Sequence, residues 1–274
     1  EYNISRALKL DPERPAHLHL LGVCSVSSVI RNMHQDNALN LNPEKRTFQN
    51  AKIANITFIN GVEGTSNGLK ATNMSEYTIE NCIFRNFLFS MELESCWRGA
   101  ISNCFFRERF NYAGYPMVKI GSQCNSVAFR SCWFANANAI STPMVYVQDG
   151  QSAVLFDSCT FESGSGVFLN PGSGVITNVN FNSCYFEWMT GYCISVQGGS
   201  SASIKGLSVT GRYLNGATDD SAVYAIDAGG IQGLIVEGCH CVNYTGAMIY
   251  NSAYDLQNAT FRACTSDGQL FSAS

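Results

Sequence analysis

Glu162 and Glu187 are the pair of residues in this chain best suited to chemistry. Each follows a phenylalanine in a matching context, Thr160-Phe161-Glu162 and Tyr185-Phe186-Glu187, 25 residues apart. Two carboxylates facing one cavity divide their protons unequally. That division, one acid and one base or nucleophile, is what glycoside hydrolysis requires. Trp133, Tyr185 and Trp188 fall close by in the same pattern. Flat aromatic rings stack on the apolar faces of pyranoses while acids bond hydroxyls, so these residues describe a sugar-binding groove. Arg107, with Arg85, adds cations that could neutralise a uronate. Weaker acidic candidates are Asp219 and Asp220 in a loop, and Glu92, Glu94, Asp149 and Asp227 near a second set of strands, which would matter at a site between subunits.

What must position these residues is a repeat. The segments YTIENCIF, GAISNCFF, VAFRSCWF, VLFDSCTF and VNFNSCYF share two alternating apolar positions, a polar corner, Cys, one residue and Phe. The key position is read at Gly61, Cys82, Cys104, Cys132, Cys159, Cys184, Arg212, Cys239 and Cys264, with gaps of 21 to 28 residues. A second strand follows each copy, as in PMVKIG, PMVYVQ, GVFLN and YCISVQ. Period-two alternation without a convincing helix indicates strands. Units this short fit one turn of a stacked solenoid. The fold class expected is all-β: a right-handed, single-stranded parallel β-helix of nine or ten coils. Residues 51–274 would form its body. Residues 1–50 would hold a first coil and the remnant of an N-terminal cap around Ile4–Leu10, in one continuous domain excised from a longer chain.

This register sorts the side chains. Phe84, Phe106, Phe134, Phe161 and Phe186 should stack inside, with the cysteines buried and unbridged. Corner residues Asn81, Asn103, Ser131, Ser158 and Ser183 suit tight turns because their side chains bond their own backbone. Ile83, Phe105, Trp133, Thr160, Tyr185, Tyr213 and His240 should form one outward column. Arg85, Arg107, Ala135, Glu162, Glu187 and Asn215 should form a second. Like charges on adjacent strands destabilise a sheet. The corner residues match opposite charges instead, Arg130 with Asp157 and Glu237 with Arg262, which reads as structural. The stacked glutamates break that rule, and broken local rules tend to mark function.

Composition narrows the classes further. A net charge of −4 recommends neither nucleic acid nor an anionic membrane as partner. No apolar run approaches the roughly 20 residues of a membrane span. The opening EYNISRALK carries no secretory leader pattern. The twelve cysteines lack zinc-site spacing, as do His17, His19, His34 and His240, so no metal or cofactor is expected. Free buried thiols favour folding in a reducing cytoplasm. The sequons at Asn3, Asn55, Asn73, Asn243 and Asn258 are ascribed to chance in an Asn- and Ser-rich chain. Exposed apolar residues on the second strand set, Phe168 and Ile249, favour lateral association.

LHLLGVCSVSSVIR, ANITFINGVEG and the repeated I/V-x-F-x-x-C units resemble the pectate-lyase-like superfamily, and within it the bacteriophage tailspike depolymerases. The resemblance implies a homotrimer on a virion tail or outside the cell, which binds and hydrolyses a bacterial surface polysaccharide with acidic residues. The chain departs from two branches of the superfamily. Thr218–Asp220 reads TDD without the flanking motifs of polygalacturonases, and the Asp cluster of calcium-dependent pectate lyases is missing. A lyase acting on a uronic-acid polymer, or a non-catalytic glycan-binding spike, are the alternatives.

Overall fold

The computed structural model describes residues 1–9, 18–41, 47–62, 66–107, 115–135, 142–148, 150–196, 203–216, 225–227, 230–251 and 256–273. Every strand pairing among them is parallel, and together they form a three-faced β-helix. A coil begins on a first face, such as Ser152–Asp157. It turns at a left-handed corner, here Ser158, and continues into Thr160–Asn170, which runs over the second face and on into the third. On the third face one ladder runs through Leu8, Leu39, Leu69, Met91, Val118, Val145, Val167, Ile194, Ile226, Ile249 and Phe271, eleven rungs. Strands before residue 51 already belong to these ladders: Tyr2–Ile4 pairs with Ile30–Asn32, and His19–Leu21 with Lys52–Ala54.

The sequence dictates this stacking through its interior columns. Phe58, Phe84, Phe106, Phe134, Phe161 and Phe186 stack ring on ring, centroids 4.7 to 5.4 Å apart. A shorter parallel stack joins Phe129, Phe156 and Phe181. Each buried phenyl contributes about 1.5–3 kcal/mol, and each stacked pair about 0.5–1.5 kcal/mol more. Cys82, Cys104, Cys132, Cys159 and Cys184 lie beside the rings, buried and unbridged, each thiol donating to a carbonyl of the preceding rung.

The corners follow from residue chemistry. Asn81, Asn103, Ser131, Ser158 and Ser183 all take φ between 50° and 54°. A left-handed residue costs most side chains about 1–2 kcal/mol, and Asn and Ser tolerate it through local hydrogen bonds. The Asn81 amide also donates to Asn55 Oδ1 at 3.1 Å, tying successive corners. Asn55, Asn73, Asn243 and Asn258 occupy left-handed corners too, which gives a backbone reason for four of the five sequons.

The register corrects four expectations. Ile56, not Gly61, shares the cysteine column, because Phe58 lies under Phe84. Asn215 is buried rather than outward: pairing slips between Phe186 and Met189, since this coil lacks the corner residue that Trp188 supplies one rung earlier. Ile249 points into the core at 2% exposure, and Phe168 is half-buried. Arg130 and Asp157, and Glu237 and Arg262, are register partners. Neither pair closes to an ion pair among the described residues, and Asp157 accepts from the Asn182 amide at 2.8 Å. Arg212 pairs with Cys239 in the cysteine register, but its side chain lies outside the described residues.

Candidate active site

Glu162 and Glu187 are direct partners on adjacent strands of the second face, both half-buried. Inward Phe161 and Phe186 alternate with them and fix their outward direction. Their column runs Arg85, Arg107, Ala135, Glu162, Glu187. It therefore holds two like-charged pairs separated by a small residue. Elsewhere this protein alternates its charges. On the third face Glu92 sits between Lys70 and Lys119 in register and bonds each at 3.2 Å, while the Asn67 amide donates to it at 2.9 Å. The glutamate pair, like the arginine pair in the same column, departs from that alternation.

The neighbouring column is aromatic. Phe105, Trp133, Thr160 and Tyr185 are successive register partners, and Tyr213 and His240 continue the row. The Tyr185 and Tyr213 rings stack at 5.4 Å, and Tyr213 and His240 lie 5.5 Å apart. The Trp133 indole N–H donates to Glu162 Oε2 at 2.9 Å, so one ring fixes one carboxylate. Desolvation, then the Glu187 carboxylate, raises the Tyr185 phenol above its ordinary value. Tyr185, Tyr213, Gly238 and His240 line a shallow depression of about 460 Å³. His240 Nδ1 also pairs with the Thr265 hydroxyl at 2.6 Å.

Trp188 closes the site at the corner that leads to the third face, 52% exposed with φ 51°. A bulky residue with positive φ is a backbone outlier. The equivalent corner one coil earlier is Ser163, also left-handed. An exposed indole held at such a strained position is a feature associated with functional sites.

Solved structures share this architecture. A tailspike double mutant of E. coli bacteriophage HK620 in complex with a pentasaccharide aligns at a TM-score of 0.62 and 14% identity, covering 98% of this chain and 57% of that one. Another HK620 tailspike mutant with a pentasaccharide aligns at 0.65 and 14%, with the same coverage. ORF18 of Geobacillus virus E2 aligns at 0.59 and 14%, covering 100% and 52%. The chain has the parallel β-helix fold of the phage tailspikes. It spans little more than half the length of these tailspike-fold structures. No protein-family model matches it, and no curated protein does.

The tailspike fold thus brings Trp133, Glu162, Tyr185 and Glu187 onto three successive rungs, with Trp188 at the corner of the last. Arg107 stands apart, two rungs or about 10 Å from Glu162, with its guanidinium 5.8 Å from the Phe105 ring centre. Asp149, Asp219 and Asp220 lie outside the described residues, as does the side chain of Asp227. Glu92 is committed to its lysines, and burial raises the Glu94 carboxyl above its ordinary value. Sequence reasoning left two features unread. One is that Tyr213 and His240, which the sequence already placed in the outward column, line a depression together with Tyr185. The other is a groove of about 500 Å³ on the third face, walled by Phe89, Tyr146, Phe168 and Tyr192. Its signal was the outward aromatics of PMVYVQ and GVFLN.

Among the described residues, no group of three His, Cys, Asp or Glu side chains is placed to hold a metal ion.

Proposed function

We propose that this protein binds and hydrolyses a bacterial surface polysaccharide, as the glycan-recognition domain of a phage tailspike. The observation that carries the reading is the register pairing of Glu162 with Glu187 beside Trp133, Tyr185 and Trp188. One carboxyl protonates the glycosidic oxygen as its bond to the anomeric carbon breaks. The other, ionised, takes the proton of the attacking water or bonds that carbon itself. The half-buried setting favours such transfers, because charges there are stabilised by fixed partners rather than by bulk water. Oligosaccharides bound to proteins of the same fold support the substrate class. A homotrimer, a virion-tail location and folding in a reducing cytoplasm complete the reading. All twelve cysteines are free, which agrees with the last of these.

A lyase is the second reading, favoured by Arg85 and Arg107 in the same column as the glutamates. A cation there would neutralise a uronate while a carboxylate abstracts the proton next to it. Ultraviolet absorbance of an unsaturated product, against plain release of reducing ends, separates the two.

The test uses purified capsular, exopolysaccharide and O-antigen polymers as substrates. Glu162→Gln and Glu187→Gln should each lower chain cleavage by orders of magnitude, with folding and glycan binding intact, because the amide keeps the shape and loses the proton chemistry. Full activity in both variants would refute the assignment and move the search to Asp219 and Asp220, then to Glu94, Asp149 and Asp227. Binding without cleavage by the unmodified protein would leave a recognition spike and overturn the hydrolase.

A further inference from the structure

The outward aromatic column is interrupted at one rung. Phe105 and Trp133 precede the interruption, and Tyr185, Tyr213 and His240 follow it; Thr160 stands between. In a stacked column each ring spends its faces on its neighbours. Tyr185 gives one face to Tyr213, whose ring is within 11° of parallel, while Phe105 meets Trp133 edge-on, centroids 4.3 Å apart and planes at 71°. Thr160 is the register partner of both residues, and among the described residues no ring contact joins Trp133 to Tyr185. Two rungs separate them, or about 9.6 Å at about 4.8 Å per rung. A six-membered ring placed midway would lie about 4.8 Å from each neighbour, inside the 4.5–7 Å range of ring pairs, stacked or edge-on.

The interruption also has a chemical flank. Glu162 is two residues beyond Thr160 on the same strand, Glu187 two beyond Tyr185, and both point outward. The Trp133 indole is tied to the Glu162 side of the column by its 2.9 Å hydrogen bond. A ring over Thr160 therefore presents one edge to both carboxylates. Fully apolar occupants do not suit this edge, and a pyranose does: its axial hydrogens face the two aromatics while its hydroxyls and ring-linking oxygen reach the acids.

Resting on the reading of the preceding subsection, we infer that Thr160 is the floor of a single-pyranose subsite, walled by Trp133 and Tyr185, where a sugar ring takes the place of the missing aromatic rung beside the cleavage carboxylates. The small residue is then the specificity element. It admits one ring lying across the solenoid axis.

The experiment compares variants by titrating oligosaccharides cut from purified O-antigen and capsular polymers. Thr160→Phe completes the aromatic column on an exposed face, so it should keep or raise the melting temperature while weakening binding at least about tenfold by filling the space. Thr160→Val leaves the space open and should bind within about threefold of the unmodified protein. Tyr185→Ala removes one wall and should also weaken binding, which keeps the test decisive if Thr160→Phe folds poorly. Equal binding by Thr160→Phe and Tyr185→Ala, with an unmodified protein that binds, overturns the subsite and leaves the glycan reading standing. An unmodified protein that binds no polymer of either kind overturns both.

Discussion

Phe161→Ala tests how the interior stack holds the site. Phe161 has no exposed surface; its ring lies 4.8 Å from Phe134 and 4.7 Å from Phe186. Truncating such a phenyl costs about 3–5 kcal/mol in transfer and cavity terms together. In a solenoid each coil contacts only its neighbours, so this loss falls on adjacent rungs rather than spreading through the molecule. The amides to follow are Thr160 N–H, bonded to Cys132 O at 2.9 Å, and Tyr185 N–H, bonded to Cys159 O at 2.8 Å. At about 1.4 kcal/mol per tenfold, native-state hydrogen exchange at both should quicken by roughly two to three and a half orders of magnitude. The strand Ala247–Asn251 should exchange as before. Glycan cleavage should fall as well, because Phe161 and Phe186 alternate with Glu162 and Glu187 and set their direction. Unchanged exchange at Thr160 and Tyr185, or equal quickening at Ala247–Asn251, would refute both the stacking energy and its local character.

Two further outcomes are expected. Under denaturing, non-reducing conditions all twelve cysteines should titrate as thiols; in the native protein exposed Cys24 should alkylate first, and at a lower pH than an ordinary thiol, because the Ser27 hydroxyl bonds to its sulfur. Fewer than twelve thiols would show a disulfide that the stacked register does not contain. Burial raises the Glu94 carboxyl above 4.5, so the folded state binds a proton more tightly than the unfolded one. Stability from this group is present below the unfolded value and is lost as pH rises through the folded value. Glu94→Gln should therefore raise the denaturation midpoint near neutral pH and give no gain at pH below about 4.5; a gain that does not change with pH would contradict the assignment.

The sequence alone determined the fold class, the inward phenylalanine and cysteine columns, and the outward columns as far as Glu187. The reason is that strand geometry has period two and each copy carries the same corner-Cys-x-Phe spacing, so local pattern and stacked register are the same information. Where that pattern changes, the register becomes a property of the three-dimensional stack. In the copy Asn55-Ile56-Thr57-Phe58 the cysteine is replaced, and the seating of Phe58 under Phe84 shows that Ile56, not Gly61, holds the column. At Asn215 the corner residue is missing, the pairing slips, and a side chain expected outside is buried. The third face follows each coil after a loop of variable length, so its inward and outward sides are set by tertiary stacking, which is why Ile249 proved to be core. The site divides in the same way. The types and spacing of Glu162 and Glu187 were legible in one dimension. The indole bond from Trp133 to Glu162, the strained Trp188 corner and the gap in the rings over Thr160 arise between coils, from side chains that adjacent rungs bring together across 25 or more residues of chain.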